Sequence, residues 1–375
     1  MTNKIRVGVI GASAERGWAR MTHIPAILSL PQYQLTAVCT TRIASAKAAA
    51  EEYGALLFFD NYAALIDHPD IDMVTVSVKV TEHYKIVKAA LKKGKHVYCE
   101  WPLGNGLSEA KEMALLAREM KVRTAIGLQG RTSPMINKVK ELVASGYVGK
   151  VLSTSMIVSG DVYGEYIDRE YINMLDVKQG ANFLTIQFGH FADVVCYCLG
   201  EFNALSAITA TQNPVVKIKG TEETVNATSP DQIVVNGVLK NGTIASIHLR
   251  GGSSRATNLL WEINGTSGDL RISGSNPYFF TITQKLEGAT GNQTLSELIV
   301  SDAGQEGLRL PPEPASNVAR VYANFASDIQ NGTKLCATFD DAFIHHQLID
   351  AVQKAALNGK RVLINPGKTA IPLIL

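Results

Sequence analysis

Apolar and polar positions change rhythm once along this chain. Up to about residue 127, short apolar runs alternate with segments whose apolar positions recur every three or four residues. The runs read as strands buried on both faces, and the segments between them as helices that cover those faces. The spacing predicts a strand opening at residue 5 and others over 35–40, 56–59, 73–78, 96–99 and 123–127. Helices are predicted over 18–30, 43–53, 62–66, 82–92 and 108–120. That alternation specifies a doubly wound α/β domain with a parallel sheet.

From about residue 150 the period falls to two. The stretches 151–159, 205–211, 232–239, 243–250, 258–264, 269–273 and 279–284 alternate apolar and polar residues, with tight N-G-containing connections between several of them. Helices are predicted over 183–198, 318–329 and 340–357. This is an α+β grammar: one large open antiparallel sheet with helices on a single face. A second copy of the chain is the simplest cover for the other face, so a homodimer through the C-terminal sheet is expected. The expected division is 1–130 for the first domain and 131–375 for the second. The proline-bearing stretch 301–315 reads as an irregular surface loop.

Composition narrows the partners. The 375 residues suffice for two cores, and 46% hydrophobic residues, 19% charged residues and a net charge of +2 describe an ordinary globular protein. Nothing in that balance asks for direct contact with nucleic acid or an anionic membrane. With no apolar signal core and no window of 18 apolar residues, a cytoplasmic address is expected. Five scattered cysteines without C-x-x-C spacing fit reduced thiols. His345 and His346 are neighbours on a predicted helix and do not share a face, so no metal site is expected.

The first candidate chemistry lies at the first strand's end. Residues 5–17 read I-R-V-G-V-I-G-A-S-A-E-R-G, a strand, a glycine-punctuated turn and a helix start. Such a turn offers backbone N–H groups and a helix N-terminus to a dinucleotide pyrophosphate. Gly11, Ser13 and Gly17 occupy the places of the G-x-G-x-x-G glycines, with serine in the middle and the turn one residue longer. Trp18 follows at the mouth, for stacking on a ligand or for core packing. The second strand ends in Cys39-Thr40-Thr41-Arg42, without the carboxylate that holds the ribose hydroxyls of NAD. Two hydroxyls and a guanidinium suit a 2′-phosphate, so NADP is the expected cofactor and NAD the alternative. The plainer reading of Arg42 is a solvated helix start.

Longer strings carry a resemblance. RGWARMTHIPAI, DIDMVTVSVKVTEHY, YCEWPL, GLQGRTSP and QGANFLTIQFGH make the chain similar, over nearly its full length, to the glucose–fructose oxidoreductase/inositol dehydrogenase/MocA family. Within it they resemble the branch that contains a yeast galactose-regulon repressor. The resemblance implies a Rossmann domain followed by a domain that receives the substrate and forms the dimer. It places Val78 and His83 along the nicotinamide ribose, with Lys79 where the family has proline. It also places Glu100-Trp101-Pro102 on the family's E-K-P motif, and Gln129 and Arg131 at a strand end facing the nicotinamide.

In catalytic members of that family, the lysine of E-K-P and an Asp–His pair four residues apart form the acid/base site. Here Trp101 stands for the lysine and Ile186 for the aspartate, while His190 remains and Asp193 follows three residues on. His190 and Lys79 are therefore the catalytic candidates, each with a structural alternative: an interdomain histidine and an exposed lysine. Trp101, Arg131, Asp193 and Tyr163 are the candidates for substrate contact, although the tyrosine- and carboxylate-rich stretch 160–176 that carries Tyr163 reads equally as a surface loop whose tyrosines pack on the domain junction. Three functions stay open. The expected one is an NAD(P)-dependent oxidoreductase acting on a sugar, polyol or ring carbonyl. The others are a non-enzymatic NAD(P)-binding co-regulator and a cofactor-retaining enzyme with a net non-redox reaction.

Overall fold

The computed structural model describes residues 4–277, 284–301 and 309–364. In the first half, β1 (Ile5–Ile10), α1 (Ile24–Ser29), β2 (Tyr33–Cys39), α2 (Ile43–Tyr53), β3 (Leu57–Phe59) and α3 (Tyr62–Asp67) lead to β4 (Met73–Val76). Then come α4 (Val80–Lys92), β5 (His96–Cys99), α5 (Leu107–Met120), β6 (Thr124–Ile126) and α6 (Pro134–Ala144). The six strands pair in parallel in the order β3-β2-β1-β4-β5-β6. Their apolar runs bury Val7, Val9, Val74, Val76, Val97 and Cys99 completely, as a sheet covered on both faces requires. The order reverses between β1 and β4, so a crevice opens beyond their carboxyl ends.

The helix expected over 18–30 begins instead as a π-turn, Ala19–His23, before α1. Pro25 offers no N–H to the preceding turn, which removes one α-helical bond at that point.

The second half contains β7 (Val151–Gly160), β8 (Tyr166–Ile167), α7 (Gly189–Leu199), β9 (Phe202–Ala210), β10 (Val215–Ile218), β11 (Thr224–Asn226) and β12 (Gln232–Leu239). It continues with β13 (Ile244–Gly251), β14 (Leu259–Gly265), β15 (Gly268–Gly274), β16 (Gln284–Thr290), β17 (Ser296–Glu297), α8 (Ala315–Gln330), α9 (Phe339–Asn358) and β18 (Val362–Leu363). Nine described strands form one sheet in the order β17-β16-β15-β14-β7-β13-β12-β9-β18. The sheet is mixed, not purely antiparallel: β13 runs parallel to β7, pairing Ile244 with Ser153 and Ile247 with Met156. The two strands are joined by a long excursion, so no tight turn forces them antiparallel. Except for Gln284, the strand expected over 279–284 lies outside the described residues.

One face of this sheet packs on helices. On the other, the register sets Ile208, Val234, His248, Ile157 and Leu260 side by side across five strands. Ile208 there is 70% exposed.

The expected division at residue 130 is crossed by the last helices. In α8, Val318, Val321, Tyr322 and Phe325 bury themselves in one cluster with Val7, Val9 and Ile27 of the first half. Meanwhile α9 packs between α5 and β9. Among the described residues no helix is long and apolar enough to cross a membrane.

Candidate functional site

The turn after β1 is built for close backbone approach. Gly11 has φ +98°, donates its N–H to the Cys39 carbonyl at 2.9 Å, and a Cβ there would lie 2.0 Å from the Ser77 carbonyl oxygen. Only glycine meets both demands. Ser13 Oγ accepts the Glu15 N–H at 3.2 Å, and the Ser13 carbonyl accepts the Tyr53 hydroxyl at 2.6 Å. Gly17 has φ +97° in open space. The Trp18 indole N–H beside it is buried without a hydrogen-bond partner among the described residues.

The end of β2 is divided in its behaviour. Thr40 Oγ1 is already engaged, 2.7 Å from Ser45 Oγ and 3.0 Å from the Arg42 carbonyl oxygen. Thr41 and Arg42 are exposed, and Arg42 makes no ion pair among the described residues.

Around the crevice the groups sort into those that tie loops together and those that face the opening. His83 is a tie. Buried, it sets Nδ1 2.9 Å from the Pro102 carbonyl oxygen and Nε2 3.0 Å from that of Val78, joining the loops after β4 and β5. Burial pushes its pKa below the ordinary range and keeps it neutral. Val78 itself, half-buried, packs against Gly11. Lys79, exposed at the start of α4, makes no ion pair among the described residues, and Glu82 pairs with Lys85 instead.

Glu100 keeps 14% of its side chain exposed, with Oε1 3.0 Å from Nε2 of the fully buried His23. The two are at ion-pair distance but not aligned as a hydrogen bond. His23 Nδ1 in turn lies 3.0 Å from the Tyr322 hydroxyl, which lies 2.8 Å from Thr75 Oγ1. His23 falls within the string RGWARMTHIPAI but carries no role in the sequence pattern. Its one signal is a histidine on an otherwise apolar helix face. Gln129 is buried and its Oε1 has no hydrogen-bond partner among the described residues.

The four candidates for substrate contact are engaged within the protein. Trp101 is 5% exposed, donates its indole N–H to the Thr185 carbonyl at 2.7 Å, and rests against His345 and His346. The Arg131 guanidinium grips Asp193 through Nε and Nη2, the latter at 2.7 Å, and reaches Asp341 through Nη1 at 3.1 Å. Burial works against that charge, but the two carboxylates outweigh it and hold its pKa above the ordinary value. Tyr163 is buried, with its hydroxyl on Met174 Sδ at 3.4 Å and its ring on Phe183.

His190 differs. It is half-buried at the start of α7, and no hydrogen bond to its ring occurs among the described residues. Burial pushes its pKa down; Glu100 and Asp193 oppose that through space, and His345 adds to it. Ile186, one turn earlier, brings no polar group.

A pyridine dinucleotide fits what is present. Gly11 makes the tight turn after β1 that a pyrophosphate site needs, and the Trp18 indole N–H and the Gln129 side-chain Oε1 are buried without hydrogen-bond partners among the described residues. Residues 5–128 match the oxidoreductase family with an NAD-binding Rossmann fold, GFO/IDH/MocA, and residues 134–274 match the Gal80p C-terminal domain. The chain joins a GFO/IDH/MocA Rossmann domain to a Gal80-like C-terminal domain.

Its relatives include enzymes and regulators. The chain is 28% identical to dehydrogenase aclE of Aspergillus oryzae, over 96% of this chain and 98% of that one. It is 33% identical to the galactose/lactose metabolism regulatory protein GAL80 of Kluyveromyces lactis, over 72% of this chain and 64% of that protein. Among solved structures, a super-repressor mutant of Gal80p from Saccharomyces cerevisiae superposes with a TM-score of 0.87 at 27% identity, covering 97% of this chain and 99% of that one. Levoglucosan dehydrogenase in complex with NADH and L-sorbose shares the fold, with a TM-score of 0.83 at 21% identity, covering 97% and 99%.

Proposed function

We propose that this protein is an NAD(P)-dependent oxidoreductase acting on a carbinol or carbonyl carbon of a sugar, polyol or ring-shaped metabolite, with His190 as its acid/base. The observation that carries the reading is the state of His190. It is the candidate left half-open, unbonded and neutral, while Trp101, Arg131, Asp193 and Tyr163 are engaged by neighbours. The bound nicotinamide supplies the acceptor or donor of hydride. His190 takes the carbinol proton in the oxidising direction or returns it in the reducing one. Glu100 favours the imidazolium that forms.

Trp101 and the Arg131–Asp193 pair shape the floor of the cleft from below. Lys79, unpaired at the lip, is the second candidate to hold a substrate oxygen. Arg42 and Thr41, exposed beyond β2, favour a 2′-phosphate and therefore NADP over NAD. The row Ile208–Val234–His248–Ile157–Leu260, apolar except for His248, favours a homodimer through the open sheet face. Ile157→Lys with Ile208→Lys should convert the dimer to monomer in light scattering, whereas a wild-type monomer refutes that assembly.

The decisive experiment follows nicotinamide absorbance and fluorescence with a panel of polyols and keto compounds. His190→Ala should lower kcat by ~10²–10⁴-fold with little change in cofactor Kd. Undiminished turnover in that variant sinks the acid/base role. The second reading is a cofactor-binding regulator, favoured by the GAL80 relatives and by Trp101 and Ile186 at the polar family positions. Tight cofactor binding with no turnover across the panel selects it.

A further inference from the structure

The π-turn that precedes α7 has a specific cause. In a regular α-helix the Gly189 N–H would donate to the Thr185 carbonyl, four residues back. That oxygen is taken: the Trp101 indole N–H donates to it at 2.7 Å from the loop after β5. The Gly189 N–H turns instead to the carbonyls of Leu184 and Ile186, and Phe183–Phe188 opens into a π-turn. The other side of the same residue is held as well. His345 Nε2 lies 2.7 Å from the Gly189 carbonyl oxygen, where it donates its proton. Between the two contacts, a Cβ on Gly189 would lie 2.5 Å from Trp101 Nε1. Trp101 is in turn packed against the rings of His345 and His346, with centroids 4.8 and 4.7 Å away. The next residue in the chain is His190.

We infer that Trp101 and His345 form a clamp on Gly189 that sets the direction of His190 into the cleft. Trp101 is then a positioning residue: it exerts its effect through one carbonyl, although it stands where the resembling family has a titratable lysine. Loss of that lysine and gain of the π-turn become one change, because the indole donor creates the turn that its ring then fills. The groups that act on His190 come from three elements: Glu100 after β5, Asp193 within α7 and His345 on α9. The clamp ties all three together.

Only the kinetic arm of the test rests on His190 being the acid/base; the structural arms stand without it. Trp101→Phe keeps a ring and removes the donor. Amide exchange at Gly189 and Phe188 should accelerate about tenfold as the turn rearranges. The His190 imidazole, followed by NMR, should titrate closer to a free histidine as its surroundings loosen. If turnover is present, kcat should fall ~10–100-fold with KM nearly constant, as for a misaimed group. Gly189→Ala, which pushes a methyl into the indole, should give the same changes, and combining both substitutions should be no worse than either alone. His345→Gln, which keeps a donor, should retain most of wild-type behaviour. His346→Phe perturbs the same packing without touching Gly189, and should lower the melting temperature while leaving the His190 titration unchanged. An unaltered His190 titration and Gly189 exchange in folded Trp101→Phe overturns the clamp. Lost turnover with intact exchange and titration would instead count against the acid/base reading.

Discussion

The two ends of the crevice are finished in opposite ways. At the pyrophosphate end, beyond β1 and β2, the chain leaves groups unspent among the described residues: a buried Trp18 N–H without a hydrogen-bond partner and an exposed Arg42 without an ion pair. At the floor, below His190, Trp101 and Arg131 have named partners and the ring of Tyr163 is packed away. Unsatisfied buried polar groups cost stability unless a ligand pairs them, so the first end is prepared for binding. Saturated groups contribute stability and direction, so the second end is prepared for holding two domains in register. Family resemblance placed both sets of residues at the crevice, but partner geometry separates their roles.

Three changes would break or sharpen this contrast. The largest effect is expected at the floor. Arg131→Ala leaves Asp193 buried and unpaired and should cost about 3–5 kcal/mol in denaturant unfolding. A loss confined to substrate KM would show that the pair serves binding instead. Gly11→Ala acts at the other end. Its Cβ meets the Ser77 carbonyl and its φ is unfavourable for alanine, so cofactor affinity by calorimetry should fall at least ~100-fold. Wild-type affinity there would remove the pyrophosphate assignment.

The most gradual effect is a slope with pH. Burial holds His83, His190 and His345 below the ordinary range and pushes His346 down to about 3. Unfolded histidine titrates near ~6.5, so on acidification the unfolded chain takes up these protons first. The contribution is complete above ~6.5 and declines as pH falls toward the folded values, by up to ~1.4 kcal/mol per pH unit for each such histidine. Melting temperature measured from pH 8 to pH 5 should fall; a flat profile contradicts neutral burial of the cluster.

Much of the scaffold was legible. Alternation of apolar runs and helical periods carried all six Rossmann strands, and period-two stretches carried β7, β9 and β12 to β15. α6 was readable too, since Pro134 opens an amphipathic segment, but no helix was predicted there. The short strands β8, β10 and β11 hold too few residues for a period to show.

At the site, the sequence named the residues but not their partners. The indole N–H of Trp101 finds a carbonyl 84 positions away, and Arg131 finds carboxylates 62 and 210 positions away. No local pattern encodes such distances. Tyr163, for which the polar stretch left a displayed hydroxyl and a packed ring equally open, turns inward because Phe183 and Met174 offer an apolar seat. His23 and Tyr322, 299 positions apart, were invisible as a pair for the same reason.

The way α8 completes the first core bears on how the polypeptide matures. Val7, Val9 and Ile27 emerge from a ribosome about three hundred residues ahead of Val318, Tyr322 and Phe325, which seal them. One flank of the nascent Rossmann sheet must therefore wait, wet and sticky, for nearly the entire remainder to be translated. A fragment truncated before α8 would carry that bare flank permanently, inviting aggregation and chaperone capture.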